Sequence, residues 1–200
     1  LLPGDTNFSI INGALPTVPE SGIEVSITSL GLVAGGKQLA IDVAFPVLHG
    51  PYGEDGTIQG LFEMIGLKYV GSGVLASAVS MDKSYAKPIF AAAGLKVAPG
   101  IVVTSKNFDL PSNLTFPLFV KPARSGSSRG TTKVKQTSDL ASAVEHALSF
   151  DTKVIIEQAV VGKEIECSVL QADGKIITSE PGQISISSKF EFYDFQAKYL

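Results

Sequence analysis

The chain has 200 residues, 44% of them hydrophobic and 18% charged, and a mean hydropathy of +0.27. That apolar content excludes an intrinsically disordered chain, and the length allows one large domain or two small ones. A single cysteine, Cys167, excludes an internal disulfide and a cysteine-built zinc site, while a formal net charge of −3 argues against a dedicated nucleic-acid binder.

Ala40–Val47 reads as a buried strand, apolar except for Asp42, ending in the turn-rich stretch from Leu48 to Gly56. His49 then stands at the strand's carboxyl edge, where open α/β sheets place ligands. Ile58, Leu61, Phe62 and Ile65 have helical spacing, with Asp55 or Thr57 as the cap and Gly66 as the stop. A short strand around Lys68–Val70 leads through Gly71-Ser72-Gly73 to an Ala/Val/Leu helix, so the first 80 residues alternate strand and helix, as a parallel sheet with covering helices does. Ser80 reads as the cap of a helix over Met81–Ala93 that Pro88 kinks or splits. Beyond it the rhythm becomes α+β. Phe116–Lys121 and Thr132–Lys135 are strands joined by a Gly/Ser loop, Ser138 caps a helix carrying Leu140, Val144, Ala147 and Leu148, and Val154–Glu157 is a strand. Glu164–Gln171 and Lys175–Ser179 form a hairpin around Ala172-Asp173-Gly174. Composition and rhythm divide the chain into 1–80, 81–160 and 161–200.

The charge is unevenly placed. Residues 1–80 hold 2 basic against 7 acidic side chains, and residues 81–200 hold 14 against 12. Residues 121–135 carry five basic side chains and no acidic one, a local positive field suited either to an anionic small ligand such as a phosphate ester or to a solvated loop. Within this stretch, Ser125-Gly126-Ser127-Ser128-Arg129-Gly130 offers turned backbone N–H groups and hydroxyl donors. It is neither a Walker A loop nor a dinucleotide fingerprint. Lys121 ends the strand before it.

Several segments occur together in order: Met81-Asp82-Lys83 opening a helix, Phe119-Val120-Lys121-Pro122 before the Gly/Ser loop, Ile155-Ile156-Glu157-Gln158 ending a strand, and Gly162-Lys163-Glu164-Ile165-Glu166 starting the next. To these add His49-Gly50 with Glu54-Asp55-Gly56, Gly71-Ser72-Gly73, and the closing Phe192-Tyr193-Asp194-Phe195-Gln196-Ala197-Lys198-Tyr199-Leu200. From about residue 40 to the end the chain resembles the D-alanine–D-alanine ligase family of the ATP-grasp superfamily, the Phe-Tyr-Asp-x-x-x-Lys-Tyr segment being the most specific part.

The resemblance implies an ATP-grasp fold preceded by a parallel α/β domain on the substrate side. It implies ATP-dependent joining of two D-alanine molecules through an acyl phosphate, in the cytoplasm, for bacterial peptidoglycan synthesis. D-Alanine and ATP are the implied partners, with Mg2+ or Mn2+, and the family is commonly a homodimer; no membrane or nucleic acid is implied. Lys83, Lys121 and Lys198 would reach phosphate, where a compact ammonium suits phosphate oxygens. Glu157, Gln158, Ala159 and Val160 would line the adenine edge and Glu164 would take the ribose hydroxyls. Ser127 and Ser128 would cap the γ-phosphate and acyl-phosphate site, with Ser127 joining Tyr199 in a set that positions the loops and the substrate amine. His49 would lie near the first D-alanine. No metal cluster is visible in the sequence. The family's metal ligands and oxyanion-stabilising arginine are expected beyond Leu200, so these 200 residues by themselves are expected not to ligate. Without the resemblance, Lys83 is a surface lysine in a first helical turn, Glu164 an edge-strand charge and Tyr199 a packing tyrosine. His146 reads as a solvated helix residue and Cys167 as a small packing residue. Two rivals remain open: a sister ligase that transfers to D-lactate or D-serine, and a non-catalytic ATP-binding module of the same fold.

Overall fold

The computed structural model describes residue 9, residues 22–29, 31–185 and 191–193, and the helix Phe195–Tyr199, excepting the side chains of Phe195 and Tyr199. The chain forms two compact units, Leu1–Ala86 and Lys87–Leu200.

In the first unit, β1 (Val25–Thr28), β2 (Gly31–Ala34) and β3 (Lys37–Gln38) form an antiparallel meander. α1 (Thr57–Met64) follows the turn-rich loop and α2 (Val74–Met81) follows Gly73. Asp55 secures the entry to α1: its carboxylate accepts from the Tyr52 N–H at 2.9 Å and the Thr57 N–H at 3.0 Å. Gly66, at φ +68°, ends the helix region as expected. Ala40–Val47 is not a buried strand. It makes one parallel bridge, Ala44 to Tyr69, through Ala44 N–H to Lys68 O at 2.8 Å and Val70 N–H to Ala44 O at 2.9 Å. Val43, Phe45 and Val47 are exposed. A continuous apolar run marks a strand covered on both faces, and no described element covers these side chains.

The helix expected over Met81–Ala93 is broken six residues before Pro88. Asp82, extended at φ −91° and ψ 101°, ends α2 and opens α3 (Lys83–Ala92). Its carboxylate accepts from the Ser84 N–H at 3.0 Å and the Ser84 hydroxyl at 2.5 Å, a local bond that competes with helix continuation. Pro88, the sixth residue of α3, lies inside the helix without ending it.

The second unit is built on a four-stranded sheet in the order β4 (Gly100–Val103), β7 (Val154–Gln158), β5 (Leu118–Pro122), β6 (Thr132–Val134), all antiparallel. The strand period of two sorts its side chains cleanly. Leu118, Val120, Val134, Val154 and Ile156 face α4 (Leu140–Leu148) and meet Leu140, Ala143, Val144 and Ala147 in the core. Ser138 does not cap α4; it lies in a short 3-10 turn, Thr137–Asp139, that leads into the helix. The opposite sheet face carries Phe119 and Lys121 from β5, Lys133 from β6 and Glu157 from β7. Register aligns Lys133, Phe119, Glu157 and Gly100 in one row across all four strands.

The expected Glu164–Gln171 strand is interrupted at Cys167 and Ser168. β8 (Glu164–Glu166) pairs with β11 (Gly182–Ile184), whereas β9 (Val169–Ala172) pairs with β10 (Lys175–Thr178). Asp173 and Gly174, at φ +50° and +72°, make the tight turn between β9 and β10. α5 (Phe195–Tyr199) is the last element.

Candidate nucleotide site

The sheet face away from α4 gathers charge at the foot of the Gly/Ser loop. Lys121 pairs in register with Ile155, two residues from Glu157, so the two are diagonal neighbours on adjacent strands. Long side chains bridge that spacing, and the Lys121 ammonium donates to Glu157 Oε1. Lys87, from α3, donates to Glu157 Oε2. The three side chains are mostly buried: Glu157 is 11% exposed, Lys87 22% and Lys121 24%. Burial pushes the Glu157 carboxyl up, but Lys121 and then Lys87 outweigh it and hold the group below its ordinary value. Gly100 makes room beside it, since a Cβ there would stand 2.5 Å from the Ile156 carbonyl oxygen and 2.9 Å from Glu157 Cβ.

The loop itself is anchored at its start. Asp151, its side chain 3% exposed, accepts from the Arg124 N–H at 2.8 Å and from Nη2 at 2.5 Å and Nε at 3.1 Å of the same residue. Burial again pushes the carboxyl up, and the Arg124 and Lys153 donors bring it below the usual aspartate value. Ser127 and Ser128 then adopt φ +52° and +57°, a region non-glycine residues enter at a cost of order 1–3 kcal/mol each where the surroundings dictate it. At the far end Gly130, at φ +70°, packs its backbone against Phe150 and Pro122.

The closing segment folds onto this loop. The Ser128 hydroxyl donates to the Tyr193 carbonyl at 3.0 Å and accepts from Lys198 Nζ at 3.2 Å, and that ammonium lies 4.8 Å from the Tyr193 ring centroid. Phe192 stacks edge-on against Phe119 at 5.3 Å. Glu191 reaches Lys133 at 3.2 Å and Lys135 at 2.8 Å. Four of the five basic side chains of residues 121–135, Lys121, Arg124, Lys133 and Lys135, each meet a carboxylate, and the Arg129 guanidinium lies 6.0 Å from the Phe150 ring centroid.

The structure thus brings Lys121 to Glu157 and Ser128 to Lys198. Ser127 is half-buried beside Ser128. Gln158 ends β7, its N–H donating to the Pro99 carbonyl at 2.9 Å; the Ala159 N–H is taken by the Pro117 carbonyl at 3.0 Å, and the Val160 side chain is exposed. Glu164 is exposed at the start of β8, opposite Ile184. Tyr199 closes α5, its side chain outside the described residues. In the first unit, His49 is exposed in the loop after the Ala44 bridge and Lys83 is half-buried at the start of α3. Three participants went unseen in the sequence. Lys87 lies one helical turn past Met-Asp-Lys and carries no motif of its own. Asp151 and Glu191 sit far along the chain from the basic residues they pair with. Among the described residues no three His, Cys, Asp or Glu converge as a metal site. No described helix is long and apolar enough to cross a membrane.

A serine-bearing loop over a four-stranded antiparallel sheet, with lysine on the sheet face and a second β unit after it, defines an ATP-grasp protein. Family models described as "D-ala D-ala ligase N-terminus" and "D-ala D-ala ligase C-terminus" match residues 23–72 and 89–200. The chain belongs to the D-alanine–D-alanine ligase family. It is 44% identical to a D-alanine–D-alanine ligase of Paenarthrobacter aurescens, covering all of this chain and 59% of that protein. It is 46% identical to one of Mycolicibacterium smegmatis, covering 96% and 57%. Among solved structures, a D-Ala:D-Ser ligase from Enterococcus faecalis superposes with a TM-score of 0.78 at 38% identity, over 86% of this chain and 52% of that one. The D-alanine–D-alanine ligase from Coxiella burnetii gives 0.73 at 33%, over 81% and 50%. The chain therefore spans about three-fifths of the length of the curated relatives it matches.

Proposed function

We propose that the full-length protein containing these 200 residues is a cytoplasmic ligase that joins two D-alanine molecules at the expense of ATP. The observation that supports this most is the cationic cluster on the open sheet face: two ammonium groups share one carboxylate, leaving a surplus positive charge in a largely buried place. Such a surplus is costly unless an anion completes it, and a nucleotide phosphate has the charge and oxygens to do so. ATP supplies a phosphoryl group that activates one carboxylate as an acyl phosphate, which the second amine displaces with release of phosphate. The chain's own side chains bind, orient and exclude water. Lys121 and Lys83 meet the phosphates, reducing their repulsion from the incoming carboxylate. Gln158, Ala159 and Val160 border the base through the Ala159 carbonyl and the Val160 backbone, and Glu164 accepts from the ribose hydroxyls. Ser127, Ser128 and Lys198, drawn together by the fold of the closing segment, cover the reacting phosphoryl group from water, and Tyr199 and His49 orient the amino-acid substrates. Mg2+ or Mn2+ would be held by residues other than those described.

The superposition on a D-Ala:D-Ser ligase supports a second acceptor as an alternative. The test is ATP turnover by the full-length protein with D-alanine alone, and with D-alanine plus D-serine or D-lactate, each product identified by mass. D-Alanyl-D-alanine with equimolar phosphate is expected. Phosphate release independent of any D-amino acid, or none at all, would refute a ligase.

A further inference from the structure

We propose that Lys87 is a positioning residue for nucleotide binding: from α3 it holds the Glu157 carboxylate, which in turn fixes the Lys121 ammonium on the open face of the sheet. This rests on the reading that Lys121 meets the nucleotide.

Three observations carry it. Lys87 and Lys121 engage different oxygens of the same carboxylate, so Glu157 is a shared strut rather than a partner of either lysine alone. The register also leaves room for the strut. Gly100 is the residue opposite Glu157 on β4, and a Cβ there would stand 2.5 Å from the Ile156 carbonyl oxygen and 2.9 Å from Glu157 Cβ, so a larger residue would displace the root of the Glu157 side chain. Finally, the arrangement is mostly buried, so losing one cation alters the other: with Lys87 gone, Glu157 neutralises Lys121 one-to-one and holds it back from an incoming anion. With Lys87 present, the carboxylate is shared and Lys121 keeps charge to offer. The groups facing Glu157 are Lys87 from α3 and Lys121 from β5; β4 contributes the uncharged Gly100.

The test is a double-mutant cycle in the full-length protein, reading KM for ATP and KM for D-alanine separately. Lys87→Gln is expected to raise KM for ATP about 10-fold, the size of one charge-assisted hydrogen bond, and to leave KM for D-alanine within about 2-fold. In a Glu157→Gln background the same substitution should change KM for ATP by less than about 2-fold, because its route to Lys121 is gone. The acid limb of the kcat/KM profile for ATP should move to higher pH in Lys87→Gln, since Glu157 has lost one of the cations keeping it ionised. An unchanged KM for ATP, an equal rise in both KM values, or full additivity with Glu157→Gln would each overturn the proposal. If Lys87→Gln does not fold, Lys87→Arg decides: it keeps the charge and must retain the ATP KM to within about 3-fold, and a selective rise in KM for D-alanine refutes positioning. A wild-type protein that turns over no ATP with D-alanine would instead refute the ligase reading itself.

Discussion

Asp151→Asn probes the anchor of the Gly/Ser loop. The carboxylate is almost fully buried and receives five donors: the backbone N–H of Arg124, two nitrogens of its guanidinium, the backbone N–H of Lys153 and, at 3.5 Å, the Thr152 hydroxyl. Asparagine keeps one acceptor oxygen, which at the Oδ2 position still takes the Arg124 N–H, but its NH2 group then stands at Oδ1, against the guanidinium and the long Lys153 N–H contact. Two charge-assisted bonds are lost. Such bonds contribute about 1.5–3 kcal/mol each when buried, but the Arg124 side chain is 48% exposed and rehydrates, so about 1 kcal/mol each is a better figure. A loss of about 2 kcal/mol, with a urea slope near 2 kcal/mol/M, lowers the unfolding midpoint by about 1 M at pH 7. The pH dependence has a definite sign. The folded carboxyl titrates below its unfolded value, so its contribution is complete above the unfolded value and is lost as pH falls through the folded one. The gap between wild type and variant should be constant from pH 7 to about 5 and narrow below about 4. Urea titrations of both proteins across that range measure it. A midpoint within 0.3 M (about 0.6 kcal/mol) of wild type at pH 7, or a gap that does not narrow in acid, would refute the anchoring argument.

Two further outcomes follow from the loop geometry. Gly130→Ala forces a Cβ to within 2.7 Å of Phe150 Cδ2 and 2.8 Å of Pro122 Cγ at φ +70°, so left-handed strain and overpacking together should cost about 3 kcal/mol, read as a lower urea midpoint. Ser128→Ala removes the hydroxyl that bonds both the Tyr193 carbonyl and Lys198; ATP turnover with D-alanine should fall about 10-fold while stability changes by less than about 1 kcal/mol, and unchanged turnover would show that the closing segment is held by other contacts.

Local sequence patterns carried much of the second unit. The apolar runs in Phe116–Lys121 and Val154–Glu157, and helical spacing in Leu140, Val144 and Ala147, placed β5, β7 and α4 within a residue or two, because all three pack into the same core. β4 went unassigned although Ile101, Val102 and Val103 are all β-branched, because a run of three apolar residues is too short to show a period. The break at Asp82 differs from the expected helix, capped by Ser80 and kinked or split at Pro88, because it is the Asp82 carboxylate bonding Ser84 that interrupts the chain of helical turns. The Lys121–Glu157 contact could not be read, since which residue of β5 faces which of β7 is settled by register across a 36-residue separation. Lys87 is harder still: its reach to Glu157 depends on where α3 packs, which no local spacing encodes.

The most direct measurement is a crystal structure of the full-length protein with a non-hydrolysable ATP analogue. Phosphate oxygens within hydrogen-bonding distance of the Lys121 and Lys198 ammonium groups, with Ser128 against the same triphosphate and Lys87 still on Glu157, are the expected result. A triphosphate bound away from the open face of the β4–β7–β5–β6 sheet, with those lysines turned elsewhere, would contradict it.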